Sequence, residues 1–209
     1  MLDKKLLPVA VFTSVYLLLA AAFAVAGGNK EFVFYIGVMA VLIAAMLVVH
    51  KRVNLLTSTL WCLSVWGLMH MAGGLVTVPP AWPLGGESNV LYNLWLVPGL
   101  LKFDQFVHAY GFGVATWVCW QGIRAALPVV DGRRVQPTPG LLVLAAAAGM
   151  GLGALNEVVE FAAVLLIPDT NVGGYVNTGW DLVANLVGSG LAALLIFAFG
   201  RPPGSGEGE

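Results

Sequence analysis

Asn156, Glu157 and Glu160 stand near the end of one apolar run, and Asp181 and Asn185 stand near the start of the next, with a short polar stretch between them. Asp104 and His108, Asn156 and Glu160, and Asp181 and Asn185 are each four residues apart, a spacing that puts each pair on one helix face. Acids and histidines inside apolar segments are costly to keep there, so they are read first as functional. Carboxylates beside imidazoles can hold a cation, bind a polar ligand or carry protons.

The balance of charge narrows the choice. Asp104, Glu157, Glu160 and Asp181 fall within expected helices that contain no deep lysine or arginine, and Lys102 stands just outside one of them. Low dielectric disfavours ionised carboxylates, so they must be protonated and bonded to neighbours such as Asn156, Asn185 and Trp180, or neutralised by a bound cation. His70 and His108 are nitrogen donors of the kind that zinc accepts. The expectation is one divalent metal ion (zinc, calcium or manganese) held by His70, His108, Glu160 and Asp181. Asp104, Asn156, Trp180 and Asn185 are expected to bind ligand. Glu157, about a turn deeper, is a possible base. Interhelical hydrogen bonding is the plain alternative for Asp104 and His108, and packing for most of the tryptophans.

The elements that must carry these groups follow from composition. The 209 residues are 59% hydrophobic and only 10% charged, with mean hydropathy +0.87, whereas soluble globules carry about 25% charged residues. The chain is therefore expected to be an all-α, polytopic membrane bundle. Six runs are long enough to cross: Leu6 to Ala26, Phe32 to Val49, Leu55 to Val78, Phe103 to Leu127, Leu141 to Ile167 and Thr178 to Phe199. Ala24, Val25 and Ala26 resemble a signal-peptidase site, but the preceding stretch is too long for a typical signal peptide and is expected to be retained. Residues 1–200 form a single six-helix transmembrane domain, followed by a Gly- and Pro-rich tail at 201–209 expected to be disordered.

Of the 10 lysines and arginines, only Lys30 and Lys102 fall at the ends opposite to the rest. Both termini are thus expected in the cytoplasm. His70 then lies about 12 Å below the outer end of its span, His108 about 8 Å, Glu160 about 10 Å and Asp181 about 5 Å, so the third to sixth helices converge on the outer third of the bilayer.

Several functions are disfavoured by the same residues. The net charge of -1 offers no basic field for nucleic acid. Cys62 and Cys119 have no metal-ligand spacing and are read as packing. Gly149, Gly151 and Gly153 lie inside an apolar helix without the strand and lysine of a phosphate loop. Gly149 and Gly153, with Ala184 and Gly188, instead form seams that let the last two helices approach. No GxSxG occurs to support a serine hydrolase. A transporter is the weakest of the membrane readings, because no acid, lysine or histidine continues inward between Gly111 and Gln121 or between Leu141 and Leu155.

His70-Met71-Ala72-Gly73-Gly74, Asp104 with His108 and Gly111, Glu157 with Glu160 and Phe161, and Trp180-Asp181 resemble the YjdF-like family of uncharacterised bacterial inner-membrane proteins over residues 65 to 190. The same order of acids and histidine, ending in Asp181, Asn185 and Gly188, resembles the VanZ-like family, which is associated with resistance to glycopeptide antibiotics. Gln105 stands where both families tend to carry a basic residue, and Glu160 where VanZ-like proteins tend to have Gln. The resemblance implies a multi-pass protein of the cytoplasmic (inner) membrane, with no reaction attached. The leading expectation is an outer-leaflet acidic and histidine site for the headgroup of a membrane lipid or a lipid-linked envelope precursor. A metal-dependent intramembrane hydrolase of a lipid ester or phosphoester is the alternative, and a cation or proton transporter the third.

Overall fold

The computed structural model describes residues 4–127, 129 and 135–200. The tail expected to be disordered, 201–209, lies outside the described residues. Among the described residues six α-helices follow one another: α1 (Leu7–Ala26), α2 (Lys30–Val53), α3 (Thr57–Leu75), α4 (Phe103–Ala126), α5 (Pro139–Leu166) and α6 (Tyr175–Phe199). Their ends carry local signals. Pro8 and Pro139 sit in first turns, where a missing N–H costs nothing. The Asn29 side chain accepts from Phe32 N at 3.0 Å to cap α2. At the other end of α2, His50, Lys51 and Arg52 complement the helix dipole before Asn54 turns the chain with φ 56°.

Four helices, α1, α2, α5 and α6, are long and apolar enough to cross a membrane. Six were expected to do so. α3 and α4 fall outside that set; they are less apolar, and α4 encloses Gln105 and His108 among its neighbours. α4 is the inner helix, packed on α3, α5 and α6. Its approach to α6 is the closest: a Cβ at Gly188 would stand 1.9 Å from the Ala109 carbonyl oxygen. Gly153 meets the Asn185 side chain, where a Cβ would stand 2.6 Å from Nδ2, and Gly149 meets Thr116 and Ser189. The expected seam between α5 and α6 is thus formed by Gly149 and Gly153, while Gly188 serves α4 instead. Membrane helices gain little from burying apolar surface against one another, so such close contacts carry much of the association.

The expected spans shift at the site end. α3 stops at Leu75, because Thr77 pairs with Val90 in a bridge, and α6 starts at Tyr175, which brings Asn177 onto the same helix as Asp181. Between α3 and α4 a 3-10 turn, Leu91–Asn93, leads into a small antiparallel hairpin, β1 (Trp95–Val97) and β2 (Leu101–Lys102), turned at Gly99 with φ 71°. This segment covers the end of the bundle where α3 and α5 finish and α4 and α6 begin. Beneath it, Tyr16, Phe32, Tyr35, Met71 and Ala163 form one apolar cluster, and Trp120, Leu142, Ala145 and Ile196 form a second towards the other end.

Candidate functional site

His108 is the centre of the polar group. It lies on the second turn of α4 and is only 4% exposed. Its Nε2 is 3.7 Å from Asp104 Oδ1 and 3.8 Å from Glu160 Oε1, and its Nδ1 is 3.6 Å from Glu157 Oε1. Asn185, fully buried on α6, holds the ring through Oδ1 at 3.2 Å from Nδ1. Two overlapping groups have donor atoms within 4.8 Å of one another: Asp104, His108 and Asp181 on one side, and His108, Glu157 and Glu160 on the other.

The two sides differ in how their charge is met. Asn177 donates through Nδ2 to Asp181 at 2.6 Å and faces Asp104 at 3.3 Å, and its Oδ1 accepts from the Lys102 ammonium. Lys102 is buried at the cap of α4, where its backbone N–H donates to the Gln105 side chain at 2.9 Å. Gln105, in the position where the resembled families tend to be basic, therefore accepts a hydrogen bond that no lysine or arginine could accept. On the other side, Glu160 accepts from Asn156 Nδ2 at 2.8 Å. Among the described residues, none hydrogen-bonds the buried Glu157 oxygens or Asp181 Oδ1, and a buried polar atom left so is costly.

His70 lies outside both groups. Tyr92 donates to the His70 carbonyl at 2.9 Å, and its oxygen is 2.6 Å from His70 Nδ1. A phenol has one proton, so the imidazole is the donor in the second bond, and Nε2 keeps the lone pair. Burial pushes the Tyr92 phenol well above its usual range, and the nearby Asp104 and Glu160 add to the effect. Tyr92 stays a neutral donor. Gly73 makes this possible: a Cβ there would lie 2.3 Å from the Tyr92 ring.

A cavity of about 620 Å³ opens in front of these groups, with Asp104, Glu160, His70 and Trp180 in its wall. Trp180 is 55% exposed at its edge. Glu31, from the first turn of α2, is a further acid in the lining, its Oε2 accepting from Asn171 N at 2.9 Å. A second, apolar groove of about 370 Å³ runs between α1, α2 and α3, and Tyr35 and His70 border both.

Of the residues expected at the site, His108, Asp104, Glu157, Glu160, Asp181, Asn156 and Asn185 are brought together, with Trp180 at the rim and His70 across the cavity. Glu157, expected deeper, reaches the same imidazole as Glu160. Sequence reasoning missed Glu31, Tyr92, Lys102 and Asn177 as members. An earlier start for α2 and α6, signalled by the Asn29 cap and by the four-residue spacing of Asn177 and Asp181, would have found two of them.

A family model described as "Predicted membrane protein (DUF2238)" matches residues 8–202. The chain belongs to that family, in agreement with the membrane character read from its composition. No curated protein and no solved structure matches the chain.

Proposed function

We propose that this member of the DUF2238 family crosses the cytoplasmic membrane six times with both termini inside, and binds the polar headgroup of a lipid or lipid-linked envelope molecule at its outer end. The observation that carries this reading is the shared wall of Tyr35 and His70. On one side of it lies the polar cavity, and on the other an apolar groove extending along α1 and α2 towards Leu6 and His50. From Tyr35 to His50 on α2 the groove runs about 22 Å, comparable to the roughly 15 Å depth of one leaflet. A headgroup in the cavity could thus keep a chain at membrane depth. The cavity lining supports one class of headgroup. Glu31, Glu87, Asp104 and Glu160 face Lys102, with Tyr35, Tyr92 and Trp95 among them, a combination that suits an ammonium or hydroxyl-rich headgroup better than a bare phosphate. The VanZ-like likeness points to the same envelope setting.

A second reading, metal-dependent hydrolysis of a lipid ester or phosphoester, is favoured by Glu157, whose unpartnered carboxylate beside His108 is placed to act as a base. Transport is less well supported, since beyond His108 the next buried polar group on α4 is Thr116, and its hydroxyl is bonded to Phe112 O at 2.8 Å.

The test is mass spectrometry of lipids retained by the purified protein after extensive detergent exchange. One lipid class enriched over the membrane extract, and reduced several-fold by Tyr35→Ala, is the expected result. A retained mixture that mirrors the bulk membrane in both proteins would overturn the reading.

A further inference from the structure

We infer that His108, Glu157 and Glu160 hold one divalent cation that prefers oxygen ligands, of the manganese or calcium kind, behind the wall of the cavity. The site stands whether or not the cavity takes a headgroup. Three observations lead to it.

First, the donor atoms of these three side chains lie within 4.8 Å of one another. His108 Nε2 stands 3.8 Å from Glu160 Oε1, and Nδ1 stands 3.6 Å from Glu157 Oε1, both too long for hydrogen bonds. Two ligands of one ion with bonds of about 2.3–2.6 Å stand about 3.3–5.2 Å apart, depending on the angle between them, a range that holds the separation of these donor atoms. Second, Glu157 has a side chain only 9% exposed, and both its oxygens lack a hydrogen-bond partner among the described residues. A carboxylate so enclosed must lose its charge or meet an opposite one. Third, the local cation is already engaged elsewhere. Lys102 reaches Asp104 and Asp181 through Asn177, whereas the glutamate pair is met by the neutral Asn156 amide, which donates to Glu160.

The second shell also fits. With Nδ1–H donating to Asn185 Oδ1, Nε2 keeps its lone pair, and a hydrogen bond of this kind is what fixes a ligating imidazole. The single nitrogen among carboxylate oxygens sets the metal class. Oxygen-rich sets suit manganese and calcium, and zinc's structural sites are dominated by nitrogen and sulfur. His70, the second histidine a zinc site would recruit, is turned to Tyr92.

The test is direct metal binding. Protein stripped with chelator and desalted is titrated with manganese at neutral pH, free ion being followed by its electron paramagnetic resonance signal, with calcium and zinc as competitors. One manganese per chain, displaced by an excess of calcium or of zinc, is expected. Glu157→Gln should weaken binding at least ten-fold. Asp181→Asn, an equally conservative change at an even more buried acid, should weaken it less, and His70→Ala should leave it unchanged. Elution as a folded monodisperse species keeps each variant interpretable. No stoichiometric binding of any of the three ions, or equal losses in Glu157→Gln and Asp181→Asn, or a loss in His70→Ala, would overturn the assignment. Failure of the lipid experiment with manganese still bound would remove the headgroup reading alone.

Discussion

Asn177 donates to Asp181 at 2.6 Å while its own carbonyl accepts from Lys102, so a buried lysine reaches a buried carboxylate through an amide on another helix. Lys102 caps α4 and Asn177 opens α6. The link therefore fixes the two closest helices of the bundle at the end that carries His108. Lys102→Met should remove the donor to Asn177 and leave its oxygen and Asp181 without their charge partner, at a cost of about 1–3 kcal/mol. Thermal unfolding in detergent measures this, and a melting temperature equal to that of the unaltered protein would show that the link is incidental.

The seam behind the site gives a paired test. Gly153→Leu would drive a side chain into Asn185, the residue that holds the His108 ring. Overpacking of this kind costs about 1–3 kcal/mol. Gly151, on the same helix, has nothing within 4 Å of a new Cβ, so Gly151→Ala should be neutral or stabilising by up to about 1 kcal/mol through helix propensity. Loss of stability in both variants would mean that α5 presents a different face to α6.

These helices also show how much could be read in advance. The convergence of α3 to α6, and the meeting of Asp104, His108, Glu160 and Asp181, were legible because four-residue spacing on a helix is a rigid geometric statement. Depth along the helix was read too finely: Glu157 was placed a turn below Glu160, but side chains three residues apart share a face, and both reach the same imidazole. His70 matched the depth of the cluster, yet Tyr92 took its ring. Tyr92 arrives from an irregular segment between α3 and α4, where no period ties residue number to position. Lys102 was legible only as a charge near a helix start, since burial through a partner 75 residues away leaves no local trace.

Orientation in the membrane is open to labelling. In a background lacking Cys62 and Cys119, cysteines at the exposed positions Glu87 and Asp169 should react with an impermeant thiol reagent applied to intact cells. A cysteine at Asp131, between α4 and α5, should react only after the membrane is opened. The distribution of lysine and arginine motivates this outcome. The opposite pattern would place the cavity on the cytoplasmic side and end the envelope-lipid reading.

Tyr92 gives a prediction in alkali. Its phenol titrates higher in the folded protein than in the unfolded chain, so above about pH 10 the unfolded state binds fewer protons and gains ground. The contribution of Tyr92 to stability is complete below that pH and declines as pH rises further. Tyr92→Phe should flatten part of this decline, while costing about 1–3 kcal/mol at neutral pH through the orphaned His70 carbonyl and Nδ1. Unfolding midpoints across pH 8 to 11 would report both effects, and parallel curves for the two proteins would rule out the phenol as their source.

Acid distinguishes a bound cation from the His108 imidazolium as the counter-charge of the glutamate pair. The groups facing His108 are Asp104 on its own helix, Glu157 and Glu160 on α5, and Asp181 and Asn185 on α6, with Lys102 one amide away. If a divalent ion supplies the missing charge, its ligands must be deprotonated, so manganese affinity and the stabilisation it confers should both fall as pH drops from 7 to 5. If the imidazolium of His108 supplies it instead, protonation strengthens the cluster over the same interval, chelator has no effect, and His108→Gln is most damaging in acid. The sign of the change in melting temperature between pH 7 and pH 5, measured with manganese and then with chelator, separates the two. A fall with manganese that chelator abolishes is the expected result. A rise that is indifferent to chelator would identify the histidine itself as the counter-charge.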